Sequence, residues 1–302
     1  MKRRRTLSSK ASSWLFILPA LTVVILLLLY PVTSSIFYSL TNKNLIKPTY
    51  RFLGLDNYIK TLTDPDFWTA FWNDLKWTFF SLLGQLIVGF TGALALNRIK
   101  KGSSIYRTIL IIPWAIPSIV LAFSWKWILN GVYGFLPNLL IKLGLCSTAP
   151  EFLTGNLAFA TLVFINIWFG SPLIMVNILS ALQTVPKDQY EAAQIDGANT
   201  FQSFWHITVP HIRTVVGLLV VLRTIWIFNS FDIIYLITGG GPAGSTKPLI
   251  QYIYETAFSK NNIGWGLKQL GRSSAVTVLL LLFLLIVCAQ YFRLLNKWEE
   301  EK

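Results

Sequence analysis

Apolar runs of about 20 residues set the fold of this chain, because each is long enough to cross the hydrocarbon layer of a bilayer as a helix. They lie near 13–40, 75–97, 105–129, 156–181, 213–237 and 273–295. The first contains the unbroken segment Val23-Val-Ile-Leu-Leu-Leu-Leu-Tyr30. A helix satisfies every backbone N–H and C=O from within, which a segment surrounded by lipid requires. Composition agrees. Of the 302 residues 54% are hydrophobic and 13% charged, against about a quarter charged in soluble domains. The expected fold is an all-α integral membrane protein with six transmembrane helices. A basic tail at 1–12 precedes a six-helix domain at 13–295, and a short tail at 296–302 follows it. The Lys2-Arg-Arg-Arg5 cluster ahead of the first run resembles a signal peptide. That run is too long, however, and no small-residue cleavage site follows its apolar core, so it reads as an uncleaved first helix.

Lysine and arginine bias sets the orientation. Lys2, Arg3, Arg4, Arg5 and Lys10 precede span one, and Arg98, Lys100, Lys101 and Arg107 surround the turn between spans two and three. Neither group contains an acid, and Arg293 and Lys297 end the chain's last helix. With six spans these segments share one side, so both termini are expected in the cytoplasm. The loop at 41–73 mixes Lys43, Lys47, Arg51 and Lys60 with Asp56, Asp64 and Asp66, as an outer loop does. The net charge of +13 is thereby explained as topology. No compact basic patch interleaved with aromatics supports a nucleic-acid partner. Cys146 and Cys288 have neither metal-ligand spacing nor an evident pairing. Trp72, Trp77, Trp125, Trp127 and Trp298 fall near span ends, where amphipathic rings anchor to the headgroup layer.

Two features suggest a polar pathway. Pro113 and Pro117 are expected to break span three, and Gly170-Ser-Pro172 to interrupt span four. Broken helices survive at membrane depth where protein or a water-filled cavity satisfies the freed backbone groups. Kinks that only improve packing are the alternative. Span five carries Arg223 well inside its apolar run and Asp232 toward its outer end. Arg223, Trp226, Asn229 and Ser230 fall near one helical stripe, and ionisable groups in a span face a bundle interior or an aqueous cavity. Arginine, an aromatic and an amide suit a sugar, which offers hydroxyls to bond and apolar faces to stack. Arg223 bridging to a neighbouring helix is the competing reading.

Between spans four and five lies a polar segment at 186–210. Pro186 suits a first helical position, and Asp188 and Glu191 sit near the positive end of that helix. Ala192 and Ala193 make a surface another protein can approach. Gly197 is expected to end the helix and Thr200 to cap a second one. Phe201, Phe204, Trp205 and Thr208 then share a face, and Pro210 closes the unit. An amphipathic surface helix without a partner fits the same composition.

The order Glu191-Ala-Ala, Asp196-Gly-Ala and Ile207-Thr-Val-Pro210 resembles the EAA loop of the membrane subunits of ABC importers. In that family the loop is a coupling helix that inserts into the cytoplasmic ATPase. The resemblance implies ATPase-coupling roles for Glu191, Ala192, Ala193, Asp196, Gly197, Ile207 and Pro210. Phe228-Asn-Ser-Phe-Asp-Ile-Ile-Tyr-Leu-Ile-Thr-Gly-Gly-Gly-Pro242 with Ser245-Thr246 is similar to carbohydrate permeases of the first, maltose/glycerol-phosphate-like type. That likeness implies the type I importer permease fold and a heterodimer with a second, homologous permease. It also implies two cytoplasmic ATPase subunits, an extracytoplasmic solute-binding protein, and location in a bacterial or archaeal cell membrane. The candidate substrate pathway is Arg223, Trp226, Asn229, Ser230 and Asp232. The segment Gly264–Ala275 departs from the family's shorter turn, so no ligand role is carried over to span six.

Gly239 to Gly244 has the glycine separation of a phosphate loop, but Ser245 stands where that motif needs lysine. The chain is therefore expected to bind no cofactor or metal, with ATP and Mg on the partner ATPase. An ion-coupled secondary transporter is the alternative, with Asp232 and Asp74 the nearest coupling acids. A membrane enzyme finds only His206 and His211 and no catalytic constellation.

Overall fold

The computed structural model describes residues 9–46, 49–99, 101–258 and 269–300, with side chains at 9–15 and 298–300 left aside. The basic cluster Lys2–Arg5, Lys47, Lys100, residues 264–268 and the side chains of Lys10 and Trp298 lie outside what is described. Helix α1 (Ser9–Val24) passes through a π-helical turn at Ile25–Leu29 into α2 (Tyr30–Ser39). Then follow α3 (Asp56–Leu62), α4 (Pro65–Arg98), α5 (Ser103–Ala115), α6 (Ser118–Ile128) and α7 (Phe135–Lys142). The second half comprises α8 (Ala158–Leu182), α9 (Lys187–Ile195) and α10 (Thr200–Ser203), then a π-turn at Phe204–Thr208. After it come α11 (Val209–Phe228), α12 (Asp232–Ile237), α13 (Leu249–Phe258) and α14 (Leu270–Glu300). Five helical stretches among the described residues are long and apolar enough to cross a membrane, and α5 with α6, bent by 87°, makes a sixth when the pair is taken as one span. The fold is all-α, as the apolar runs require.

The chain gathers into two compact units, one of residues 1–64 with 253–282 and one of 65–252 with 283–302. In the first, the loop expected at 41–73 holds α3 and the connection to α4. Asn57 donates its amide to the carbonyls of Ser39 and Thr41, each at 2.8 Å, which pins α3 under the end of α2. Arg272 pairs with Asp64. The span Phe16–Ser39 buries none of its apolar window within the chain, so lipid or another subunit must cover it.

In the second unit α4 and α8 pack along their lengths. Gly84 and Gly89 face Ile167 and Ile174 so closely that a β-carbon at either would overlap the isoleucine side chain. Small residues set this spacing because lipid supplies no hydrophobic drive between helices. One apolar cluster joins Ala93, Ile178, Leu182 and Ile212. Another joins Trp77, Leu162, Ile165 and Ile234.

Three sequence expectations need correction. Gly170-Ser-Pro172 does not interrupt span four, since α8 is continuous from Ala158 to Leu182. Ser171 donates its hydroxyl to the Ile167 carbonyl (2.5 Å), beside the Trp168 carbonyl that Pro172 cannot bond, and a spanning helix tolerates such a proline. Pro210 does not close the 186–210 unit. The helix widens at Phe204–Thr208 and continues, with Pro210 in the first turn of α11. A wide turn moves the carbonyl four residues back away from the proline ring, and Pro31 follows the π-turn at Ile25–Leu29 in the same way. Trp77, finally, is no interfacial anchor: it is 1% exposed and donates its indole N–H to the Ile227 carbonyl (3.1 Å).

Candidate functional site

The pathway residues predicted from sequence meet at two helix breaks. Ile116 is extended because the following Pro117 disfavours helical backbone before it. Pro117 is thus the break in span three, while Pro113 stays inside α5. Span five breaks too, which the sequence reading missed. Helix α11 ends at Phe228, and α12 restarts at Asp232. Asn229 and Ser230 therefore sit in the break rather than on a helical stripe with Arg223 and Trp226. Around the break Ile227 accepts from the Ser230 N–H (3.0 Å) and from Trp77, and Ile225 accepts from the Asn229 N–H (3.2 Å) and side chain (2.8 Å).

Both breaks open onto one cavity of about 340 Å³. Arg223, Trp226, Asn229, Ser230 and Asp232 all line it, joined by Trp114, Ser118, Asn166, Phe169 and Phe231. Ser118 donates to Asp232 (2.8 Å), and Lys126 donates to the Leu236 carbonyl (2.9 Å), so α6 and α12 are tied at both ends. The lysine meets the negative end of α12.

Arg223 is 5% exposed and reaches across to α4, as the bridging reading held. Its Nε and terminal nitrogen donate to Gln85 Oε1 at 3.0 and 2.6 Å, and Gln85 Nε2 donates to the Asn166 carbonyl at 2.9 Å. Its guanidinium lies 5.7 Å from the Trp226 ring centre. Gly170 makes room, for a β-carbon there would overlap both the Gln85 amide and the Arg223 guanidinium. Gln85 was not predicted, yet a signal existed. Asp74, Thr78, Ser81 and Gln85 recur at helical spacing in an apolar run, and all four are buried. Asp74 lies inside α4, fully buried, where it accepts from the Leu249 N–H (3.2 Å) at the start of α13. Asn73 beside it donates to the Gly244 carbonyl (2.9 Å), so this pair clamps the glycine turn to α4.

The polar segment forms a second constellation. Pro186 is the N-cap of α9 rather than its first residue, and Asn199, not Thr200, caps α10. Asn199 and Gln202 form a reciprocal capping box at 2.8 and 2.9 Å. Gly197 has φ +82°. Its N–H donates to the Gln194 carbonyl and that of Ala198 to Ala193, the Schellman pattern that ends α9. Tyr190 bonds Thr208 through their hydroxyls (2.7 Å), fastening α9 to the base of span five. Ala192, Ala193, Asp196, Ile207 and Pro210 line a cleft of about 580 Å³ with His206 and Arg213, while Glu191 and Gly197 lie outside its lining. Ile195 is 87% exposed at the tip. The expected aromatic stripe is split by the π-turn. Phe201 and Trp205 stay exposed, Phe204 packs edge-on against Phe90 (5.9 Å), and Thr208 is buried. Asn199→Ala should weaken the α9–α10 junction by about 1 kcal/mol. Hydrogen exchange at the Gln202 amide should accelerate about fivefold, and unchanged exchange would show that the box does not hold the junction.

Residues 85–298 match the model of the binding-protein-dependent transport system inner membrane component family, and the chain belongs to that family. It is a membrane permease of an ABC import system. The trehalose/maltose transport system permease protein MalF of Thermococcus litoralis is 36% identical over 280 residues, covering 93% of this chain and 92% of the relative. The sulfoquinovosyl glycerol transport system permease protein SmoG of Agrobacterium fabrum is 32% identical, covering 93% and 89%. A bacterial ABC transporter involved in alginate import has a chain of the same fold, with TM-score 0.80 at 21% identity and 94% of both chains covered.

Proposed function

We propose that this permease carries a sugar or sugar derivative, released by an extracytoplasmic binding protein, through the cavity between the broken spans three and five. That cavity carries the reading. Trp114, Phe169 and Trp226 offer apolar faces, and Asn229, Ser230, Ser118 and Asp232 offer hydrogen-bonding groups. A sugar needs both. The named substrates of the relatives, trehalose/maltose and sulfoquinovosyl glycerol, have the same chemistry. Arg223 acts chiefly as the brace of the cavity wall, held by Gln85.

A second, homologous permease completes the pore, and the uncovered span Phe16–Ser39 is consistent with such a partner. Two cytoplasmic ATPase subunits bind ATP and Mg and dock against α9, with both termini of this chain on their side of the membrane. Closure of the ATPases moves α9. The Tyr190–Thr208 bond and the continuous helix from Thr200 carry that motion into α11. The chain itself holds the path and the lever, and the hydrolysis happens elsewhere.

A solute screen of ATPase activity in the reconstituted complex tests this reading. One sugar class should stimulate hydrolysis when supplied with its binding protein. Trp226→Ala should weaken transport of that sugar about tenfold in the concentration required, as loss of a stacking face predicts. Stimulation by amino acids or ions alone would overturn the sugar assignment. Tyr190→Phe should leave assembly intact and reduce stimulated hydrolysis about threefold, the value of one hydrogen bond. An unaltered rate would remove that bond from the lever.

A further inference from the structure

The helix that joins the docking segment to span five accommodates one extra residue at its π-turn, Phe204–Thr208. There the Val209 N–H donates to the Phe204 carbonyl five residues back, and Pro210 follows. Span one repeats the device. Tyr30 donates to the Ile25 carbonyl across the turn Ile25–Leu29, and Pro31 follows. Both π-turns among the described residues thus carry a proline directly after the residue whose N–H closes them. Proline alone does not widen a helix, since Pro113 and Pro172 lie inside the α-helices α5 and α8.

Packing fixes where the extra residue lies. Phe204 opens the turn against the Phe90 ring of α4, and Ile207 packs on the cluster that holds Ile178 and Leu182. Thr208 closes it, buried and bonded to Tyr190. Shrinking the turn to α geometry would take out one residue's rotation, about 100°. The helix before the turn would swing by that angle about the axis of span five, and Phe204 would leave Phe90. In most sequences the α-turn is the favoured form and the π-turn the rare one. Here the closed form is opposed. It would need a hydrogen bond from residue 210, which as proline has no N–H, and the ring would meet the His206 carbonyl four residues back.

We propose that Pro210 is a positioning residue for coupling, which holds the π-turn open and so fixes the rotational setting of the docking segment on span five. The role rests on the reading of α9 as the lever. It acts through this chain's own backbone and needs no contact between Pro210 and the ATPase. One consequence is particular to it. A plain α-helix one residue shorter would present the same faces, so the setting can be restored without the proline.

Two readouts test the role. In a Cys146→Ser/Cys288→Ser background, Phe90→Cys/Phe204→Cys is crosslinked with a short bis-maleimide in the purified full-length chain. Solute-stimulated ATPase activity is measured in the reconstituted complex with Phe90 and Phe204 in place. Pro210→Ala should lower both about tenfold, because losing the proline's opposition to the closed turn shifts the balance of registers. Deleting His206 in the Pro210→Ala chain should restore both, and the thermal midpoint reports folding in each variant. Unchanged crosslinking in Pro210→Ala would show that the turn stays open without proline and overturn the role. Unchanged stimulation would show that the setting does not matter to coupling and overturn it equally. A folded deletion variant that recovers neither readout would overturn the rotational account. A wild-type complex without any solute stimulation would sink the lever itself, and crosslinking in the chain alone would still decide whether Pro210 holds the turn.

Discussion

Gln85→Leu is expected to cost this permease about 3–5 kcal/mol and to remove transport, because it leaves the buried Arg223 without its acceptor. Arg223 donates two hydrogen bonds to one oxygen of Gln85 and is only 5% exposed at the cavity wall. A guanidinium cannot escape by deprotonation, so the lost acceptor is replaced only by distortion or by water drawn into the bundle. Removing both partners is different, since an apolar pair of similar volume is often nearly neutral. Gln85→Leu/Arg223→Met should therefore recover most of the thermal midpoint lost by Gln85→Leu, measured by tryptophan fluorescence in detergent. Gly170→Ala should resemble Gln85→Leu. Its new methyl displaces the flexible ends of both side chains, and the loss is that of their hydrogen bonds rather than of the overlap. If the double variant is less stable than either single one, Arg223 contributes something other than a brace.

The second large effect belongs to the segment 186–210. Glu191→Arg with Gly197→Pro should abolish association with the ATPase while the chain still inserts and remains folded. Gly197 occupies φ +82°, and proline fixes φ near −65°. The substitution also removes the N–H that closes the end of α9 on Gln194. Nothing lies within 4 Å of a β-carbon at Gly197, so the harm comes from backbone conformation alone and stays local. Glu191 is exposed, and reversing its charge alters the docking face without touching the core. Co-purification of the ATPase is the readout. Survival of the complex in the double variant would separate this segment from coupling.

The architecture was legible in the sequence because a bilayer leaves few options for an apolar run of 20 residues. The finer breaks were not, and the reasons are particular. Gly170-Ser-Pro172 looks like a stop in water, but in lipid an unwound stretch is worse than a helix that lacks one hydrogen bond. Pro210 likewise reads as a terminus until the preceding residues widen into a π-turn. Asn229-Ser230 contains neither proline nor glycine, so the break in span five left no local mark. What marks the place is tertiary: Trp77, 150 residues away in sequence, donates to the Ile227 carbonyl beside the break. The five candidate residues that share the cavity were legible because polar groups in a span stand out. Their neighbours Trp114 and Phe169 were not, since an aromatic in an apolar run carries no signal. The motif at 191–210 was legible from residue order, whereas its fastening to Thr208 through Tyr190 needed the fold.

In the proposed mechanism, ATP drives solute movement through the cavity by way of α9, rather than an ion gradient. Asp74, an acid the ion-coupled alternative would use, accepts the Leu249 N–H at the start of α13 through one carboxylate oxygen. The direct measurement is uptake, in cells or proteoliposomes carrying the complete complex, of the sugar that stimulates its ATPase. Accumulation should continue when an uncoupler collapses the proton gradient with ATP maintained, and stop when ATP is depleted. Accumulation that survives ATP depletion and vanishes with the uncoupler would contradict it.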